Sequence, residues 1–299
     1  MQGSFFRIDL FRFVHMSLPL NHLKHLIESA LQEDIGHGDF STLSSIPPDA
    51  EGKAVLKIKD AGILAGMEAA RQIFLLKDPS SVFTPFKKDG DEMVFGEQAF
   101  EVTARVHTIL QCERLVLNCM QRMSGIATLT HEYVSRLRGY KTKILDTRKT
   151  TPNFRLLEKE AVRIGGGVNH RFGLYDMIML KDNHIDYSGG IEAAVGKAWN
   201  YVQANKLNLK IEVETRSIEE VRQAISTGKV DRIMLDNFVP DQIRLALRII
   251  DGMIETEASG GINLNNIVDY ARTGVDYISV GALIHQARSL DLSLKAVMV

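Results

Sequence analysis

Short apolar runs alternate with longer stretches of helical spacing after residue 140, and this alternation constrains the fold more than any other feature. The runs occupy residues 144–145, 177–180, 211–213, 233–235, 254–258 and 277–280. Strands that alternate with helices form βαβ units and a parallel sheet. Consecutive runs end about 27 residues apart, so eight units would need more chain than remains, and a complete eight-stranded barrel is excluded. The sequence predicts a six- or seven-stranded barrel or an open parallel sheet.

The first part of the chain has a different pattern, which indicates a separate α+β domain of about 100 residues. Apolar residues at helical spacing predict helices over 20–31 and 67–76. Alternating apolar residues predict strands over 54–58 and 100–106. A longer helical segment over 109–123 follows, and we expect it to connect this domain to the parallel sheet.

Charge and hydropathy limit the classes of partner. The net charge of −1 and the hydrophobic content of 45% indicate a globular protein without the generally basic surface that binds nucleic acid. No apolar run reaches the roughly 18 residues that a membrane-spanning helix needs. The first 16 residues are rich in aromatic side chains but also carry Arg7, Asp9 and Arg12, so we expect no secretory signal there.

The two cysteines indicate a reducing compartment. Cys112 and Cys119 lie two helical turns apart on one predicted helix face, about 10.5 Å, which is too far for a disulfide bond. We therefore expect two buried thiols and a cytoplasmic protein. Neither a CxxC nor an HExxH pattern occurs in the sequence, so no structural zinc site is expected.

Charged side chains follow the predicted strands at the ends where parallel α/β folds carry their chemistry. Arg148, Lys149 and Lys181 come directly after the first two runs. Cations of this kind, and the planar guanidinium of arginine above all, suit a substrate that carries carboxylates or phosphates. The sequence therefore predicts a binding site for an anionic substrate at this rim.

Carboxylates and small-residue turns follow the later strands. Glu214 and Asp236 suit a hard cation such as Mg²⁺, or ribose hydroxyls. The turns at 259–261 and 280–282 contain glycine, and we expect both to present backbone N–H groups at helix N-termini to a phosphate.

A glycine run at 165–167 precedes His170 and Arg171. It is not a GxGxxG pattern and it comes before a strand, so it fails as a dinucleotide-binding fingerprint. We expect the three glycines to let the backbone approach a ligand closely, with a flexible loop as the alternative.

Nine short motifs, in the same order along the chain, resemble those of the quinolinate phosphoribosyltransferase family, the decarboxylating enzymes of NAD biosynthesis. The resemblance covers residues 20–299. A single motif of this length is weak evidence, but the ordered set is specific. The motifs are ERLVLN (113–118), RMSGIAT (122–128), DTRKT (146–150), GGGVNHR (165–171), LKDNH (180–184), EVET (212–215), LDNF (235–238), EASGGI (257–262) and GVDYISVGALIH (274–285).

The resemblance implies a fold with two domains. An N-terminal α/β sandwich would occupy 17–125, including the linking helix, and an incomplete α/β barrel of six to seven parallel strands would occupy 126–299. Residues 1–16 would form an extension. We expect that the last helix of the barrel domain is the element able to return to the N-terminal domain. The family resemblance also implies homodimers, or multiples of dimers, with active sites shared between chains.

The resemblance also implies a role for each site residue, with quinolinate and phosphoribosyl pyrophosphate as substrates and Mg²⁺ as cofactor. The residues implied to bind quinolinate are Arg148, His170, Arg171 and Lys181, with Arg114 from the neighbouring chain. Those implied to bind ribose or phosphate are Lys149, Glu214, Asp236, Ser259, Gly260, Gly261, Gly281 and His285. Lys149, Lys181, Glu214 and Asp236 would be catalytic, and the two carboxylates would hold the metal.

Three alternatives stay open at this point. Lys181 could form a Schiff base, although its neighbour Asp182 and the expected carboxylates favour a protonated lysine. A phosphoribosyltransferase of the same fold could act on another pyridine or base. A non-catalytic binding protein would keep the phosphate turns but would be expected to lack some of the four catalytic residues, all of which are present.

Overall fold

The computed structural model describes residues 20–297. The predicted extension at 1–16 lies outside the described residues. Within the described part, no helix combines the length and apolar character needed to cross a bilayer. Residues 20–297 form a four-stranded antiparallel sheet, a six-stranded parallel sheet and a small two-stranded sheet.

The N-terminal part folds as an antiparallel sheet packed against helices. Its helices are α1 (Leu20–Ile35), α2 (Phe40–Ser45) and α3 (Met67–Lys77). Its strands are β1 (Glu51–Ile58), β2 (Gly62–Ile63), β3 (Val82–Pro85), β4 (Glu92–Met93) and β5 (Gln98–Arg105). Apolar side chains of β1, β5, α1 and α3 share one buried core, in which the Phe83 and Phe100 rings lie 4.4 Å apart. Both predicted helices and both predicted strands are confirmed.

Helix α4 (Val106–Arg136) connects the two parts of the molecule and packs against both. The C-terminal segment crosses it so closely at Gly125 that a Cβ atom there would lie 1.8 Å from the carbonyl oxygen of Arg288. Cys112 and Cys119 are free and buried on this helix, as predicted. Burial raises the pKa of each thiol to about 12, so neither is a thiolate at neutral pH.

The barrel part alternates strands and helices along the chain. Its strands are β6 (Lys143–Leu145), β7 (Ile178–Leu180), β8 (Ile211–Thr215), β9 (Arg232–Asp236), β10 (Glu255–Ser259) and β11 (Tyr277–Ser279). Its helices are α5 (Arg155–Ile164), α6 (Asp182–Ser188), α7 (Ile191–Ala204), α8 (Ile218–Ser226), α9 (Pro240–Ile250), α10 (Ile267–Ala271) and α11 (Ala282–His285).

The six strands are all parallel, in the order β6-β11-β10-β9-β8-β7. The edge strands β6 and β7 do not pair with each other, so the barrel is open between them. A single parallel bridge from Leu145 to Val168 extends the sheet beyond β6 at this opening. The prediction of an incomplete six- to seven-stranded barrel is confirmed.

An ion pair between a half-buried arginine and a buried glutamate connects α4 to the barrel. Glu158 of α5 is fully buried and accepts hydrogen bonds from Arg122 of α4, with Nε 3.1 Å and Nη2 3.0 Å from Oε1. Arg122 also donates to the carbonyl oxygens of Ile284 and Ala287, at 2.7 Å each. The Arg122 guanidinium therefore binds both α5 and the segment at 284–287, and it holds α4 against these two parts of the barrel domain.

The element that returns to the N-terminal domain is a strand, so the expectation of a returning helix is wrong. Strand β12 (Leu292–Val297) pairs antiparallel with β1, with Leu294 opposite Leu56. The sequence of this segment explains the difference, because Leu292 and Leu294 are buried and alternate with more exposed residues. Residues two apart lie on the same face of a strand, so this alternation buries one face against the core. In a helix, residues two apart do not share a face.

Candidate active site

A cavity of about 570 Å³ opens at the carboxyl ends of the barrel strands. Eleven of the predicted site residues line it, which places the candidate site where parallel barrels carry their chemistry. They are Arg148, Lys149, His170, Arg171, Lys181, Glu214, Asp236, Ser259, Gly260, Gly261 and Gly281. Strands or the loops that directly follow them supply most of these residues, so the backbone fixes where each side chain begins.

Two predicted residues do not line the cavity of the described chain. His285 lies at its edge, because a Cβ atom at Gly281 would be 3.4 Å from His285 Nε2 and 3.1 Å from Lys149 Cδ. Arg114 is exposed on α4 and lies outside the lining. Its predicted role in a neighbouring chain stays a prediction.

Basic side chains dominate one part of the cavity. Arg171 is buried, and burial together with the charge of Arg148 lowers its pKa. Within residues 20–297, Arg148 Nε is also buried and has no hydrogen-bond partner. Two guanidinium groups that repel each other and leave a donor unpaired would be stabilised by an anion.

Carboxylates face the same cavity. Glu214 is buried, and its Oε2 atom lies 3.2 Å from Nζ of the half-exposed Lys181. Asp236 is half-buried at the end of β9 and accepts a 2.6 Å hydrogen bond from the side chain of Asn237. Lys181 and Glu214 therefore form an ion pair at the rim of the cavity.

The two glycine turns differ from each other. Gly281 directly precedes α11, but Ser259-Gly260-Gly261 is separated from α10, so the expectation of a helix N-terminus is wrong for that turn. Gly260 has φ +96°, and a Cβ atom there would lie 2.1 Å from Oδ1 of Asn237. The turn after β10 therefore needs glycine in order to pack against the turn after β9.

Comparisons with known proteins agree with this arrangement. The family models described as the N- and C-terminal domains of quinolinate phosphoribosyl transferase match residues 39–124 and 126–295. The chain belongs to the quinolinate phosphoribosyltransferase family.

Relatives and solved structures extend the match over almost the whole chain. A Bacillus subtilis (strain 168) protein named probable nicotinate-nucleotide pyrophosphorylase (carboxylating) is 46% identical over 277 residues, which cover 92% of this chain and 94% of that protein. A mitochondrial quinolinate phosphoribosyltransferase (decarboxylating) 2b of Nicotiana tabacum is 43% identical over 292 residues, covering 93% and 83%. The crystal structure of NadC from Streptococcus pyogenes has a TM-score of 0.88 at 39% identity and covers 95% of this chain and 100% of that one.

In this family member the glycine run at 165–167 does not line the cavity, so the expected approach to a ligand is wrong. It packs against α4 instead: a Cβ atom at Gly165 would lie 2.4 Å from the carbonyl oxygen of Ala127, and one at Gly167 would lie 3.0 Å from Cγ2 of Thr130. The glycines bring the loop and the helix together and thereby place the residues that follow them.

A buried network holds the segment that carries Arg171. Asp146 forms an ion pair with Lys159 and accepts hydrogen bonds from the backbone N–H of His170 at 2.8 Å and from the Asn169 side chain at 2.6 Å. Lys159 Nζ also donates to the carbonyl oxygen of His170 at 3.0 Å. Both backbone polar groups of His170 are therefore fixed by the Asp146–Lys159 pair.

Sequence reasoning placed Glu212 and Glu257 near strand ends but assigned them no role. The structure puts both inside the barrel, completely buried, beside His170. Burial and the charge of Glu257 raise the pKa of Glu212. Burial disfavours the charged form of His170 and the two carboxylates raise its pKa, whereas the hydrogen bond that Nδ1 accepts from the Arg171 N–H requires the neutral ring. The sequence did contain a signal for these two residues. Glu212 lies two residues before Glu214 and Glu257 two residues before Ser259, so each glutamate shares a strand face with a predicted site residue.

Proposed function

We propose that this chain transfers the phosphoribosyl group of phosphoribosyl pyrophosphate to quinolinate, with decarboxylation. The products would be nicotinate mononucleotide, pyrophosphate and CO₂. One observation carries the proposal: a single cavity collects Arg148, Lys149, Arg171 and Lys181 together with carboxylates and glycine turns. Such a cavity suits two anionic substrates that would otherwise repel each other. The names of the relatives support this choice of substrate.

The dicarboxylate would bind the buried basic part of the cavity. Arg148 and Arg171 offer planar guanidinium groups, and the unpaired Arg148 Nε supports a role in holding a carboxylate. Lys181 would contribute a point charge, and His170 belongs to the same group by family resemblance. Arg114 would reach this part of the site from a second chain, so we propose a homodimer or a multiple of dimers.

The ribose and its phosphate would bind the opposite group of residues. Ser259, Gly260, Gly261 and Gly281 offer small side chains and backbone N–H groups, which suit the 5′-phosphate. His285 and Lys149 lie beside Gly281 and would add positive charge there.

The carboxylates at the cavity fit a divalent cation. Glu214 and Asp236 supply hard oxygen ligands, the kind that Mg²⁺ prefers when substrate phosphates complete its coordination. Mg²⁺ held there would neutralise charge on the pyrophosphate leaving group.

The transfer itself needs no nucleophilic side chain. The lone pair of the pyridine nitrogen would form a bond to C1 of the ribose as the C1–oxygen bond to pyrophosphate breaks, with its electrons leaving on pyrophosphate. Positive charge that develops on the sugar would be stabilised by Glu214 and Asp236. The resulting pyridinium would then take up the electron pair of the bond to the 2-carboxylate, which departs as CO₂, and a proton would replace it.

A product assay tests the proposal. The protein would be incubated with phosphoribosyl pyrophosphate, Mg²⁺ and either quinolinate or nicotinate, and nucleotide and CO₂ would be measured. Equal amounts of nucleotide and CO₂ from quinolinate alone are expected. Nucleotide from nicotinate without CO₂ would instead reassign the base pocket. No product from either acid would refute the proposal. Omission of Mg²⁺ is expected to abolish turnover, and fractionation of the source cells is expected to find the protein in the cytoplasm.

A further inference from the structure

A charged layer lies inside the barrel at the floor of the cavity, where packed apolar side chains are usual, and one of its members, Glu257, also lines the cavity. Glu212 of β8, Arg232 of β9 and Glu257 of β10 form this layer, and all three side chains are buried. Arg232 Nη1 lies 3.3 Å from Oε2 of Glu257, while its Nη2 lies 3.1 Å from Oε2 of Glu255. A buried carboxylate without such compensation would be costly, so this layer calls for an explanation.

His170 is the group that these carboxylates hold. Its Nε2 atom lies 2.9 Å from Oε2 of Glu212 and 3.3 Å from Oε2 of Glu257. Apart from this contact, neither oxygen of Glu212 has a hydrogen-bond partner within residues 20–297. Buried polar groups normally have partners, and His170 is the one close polar contact of the Glu212 carboxylate in the described part of the chain. We therefore attribute the position of Glu212 to its contact with His170.

The other ring nitrogen is also engaged by the protein. His170 Nδ1 accepts a 2.7 Å hydrogen bond from the backbone N–H of Arg171. A nitrogen that accepts carries no proton, so the ring proton is placed on Nε2, facing the carboxylates. In this arrangement Nδ1 is bound by the Arg171 backbone. Nε2 faces the Glu212 and Glu257 carboxylates at ion-pair distance, although within residues 20–297 it has no hydrogen-bond partner of full geometry.

From this geometry we propose that Glu212 and Glu257 are positioning residues for the pyridine dicarboxylate site. They hold the His170 ring, the ring holds the Arg171 amide, and Arg171 is thereby directed into the cavity. The proposal rests on the proposed function for the identity of the ligand. Ligand atoms of His170, Glu212 and Glu257 lie within 4.8 Å of one another, but Arg232 already supplies a cation there, which favours ring positioning over metal binding.

Steady-state kinetics of Glu212→Gln tests this role. The amide keeps the shape but replaces a charge-assisted contact with a neutral one, so the KM for quinolinate is expected to rise roughly 5- to 10-fold. The KM for phosphoribosyl pyrophosphate and the thermal midpoint should stay close to the original values. Glu257→Gln should act in the same direction and more weakly, because its contact is longer.

Glu255→Gln is the matched control. Glu255 lies two residues before Glu257 on the same strand and contacts Arg232, but it makes no contact with His170 among its ion pairs and hydrogen bonds. This variant should leave both KM values unchanged. Equal rises in both KM values for Glu212→Gln, or the same rise for Glu255→Gln, would overturn the proposal.

A spectroscopic test does not depend on activity. Nitrogen-15 NMR of the histidine side chains should show one ring, identified by its loss in His170→Gln, with a protonated Nε2 and an unprotonated Nδ1. In Glu212→Gln its Nε2 proton should exchange with water faster. A proton on Nδ1, or an unchanged exchange rate, would overturn the proposal. If the unmodified protein made no product, the proposed function would fail, while this spectrum would still decide the positioning role.

Discussion

Replacement of Lys159 by methionine should destabilise the protein strongly, although this residue lies outside the cavity. Lys159 and Asp146 form an ion pair in which the side chains are 3% and 0% exposed. Methionine fills a similar volume without the charge and leaves the Asp146 carboxylate buried with only neutral donors. Breaking a buried pair by removing one partner costs about 3–5 kcal/mol.

This energy can be converted to a shift in thermal midpoint. Proteins gain about 2.1 cal/mol/K of unfolding entropy per residue, so for 299 residues the loss corresponds to a decrease of about 5–8 °C. Scanning calorimetry at a single scan rate would measure it. The control is Lys24→Met, because Lys24 and Glu28 form an exposed pair with 3.7 Å between Nζ and Oε1. That variant should shift the midpoint by less than about 1 °C.

A second variant separates charge from packing. Asp146→Asn combined with Lys159→Met removes both charges and keeps an acceptor for the His170 N–H. The double variant should recover at least half of the lost stability. The reasoning would be refuted if Lys159→Met melted within about 1 °C of Lys24→Met, or if the double variant were less stable than Lys159→Met alone.

Three further predictions follow from the site and the long helix. Lys181→Ala should lower kcat/KM roughly 100-fold while the thermal midpoint stays unchanged, because the side chain is half exposed; near-normal turnover would remove Lys181 from the mechanism. Arg114→Ala chains and Lys181→Ala chains, each with strongly reduced activity alone, should regain activity when mixed, and no recovery after confirmed subunit exchange would argue against a shared site. Cys112 and Cys119 should resist a thiol reagent at pH 8 in the folded protein and react fully in denaturant, whereas rapid reaction in the folded state would contradict their burial.

The barrel strands could be predicted from the sequence because a strand buried in a parallel sheet is a short apolar run with polar residues at its ends. The run at 233–235 lies within β9, and Asp236 stands at the end of that strand. The same logic placed Arg148 and Lys181 at the rim of the cavity. The alternation of strands and helices shows which residues stand at the carboxyl ends of the strands, so the residues at the rim of the cavity could be predicted.

The pairing partner of β12 could not be predicted in this way. Its alternation defines one buried face but not the strand it pairs with, and its partner β1 lies far away along the chain. The charged layer was missed for a related reason. Glu212 and Glu257 are polar residues near strand ends, and only the positions of His170 and Arg232 distinguish a balanced interior charge from one at the rim.

The glycine run shows the opposite error. Gly165 and Gly167 have the composition of a ligand-binding loop, but atoms of α4 and of Val162 in α5 are the close neighbours. Glycine permits close approach of the backbone to a ligand and equally to a neighbouring helix. The sequence alone does not show which of the two lies beside the glycines.

The pairing of β12 with β1 has a consequence for synthesis on the ribosome. A hydrogen bond from the Asp291 N–H to Asp60, just outside this pairing, joins residues 231 positions apart. At a translation rate of roughly 5–20 residues per second, β12 is synthesised about 10–50 seconds after β1, and one edge of β1 stays unpaired during that time. During that time its backbone donors and acceptors are available to other nascent chains. Slow translation should therefore promote aggregation of this protein, and a chaperone that shields β1 should counteract it.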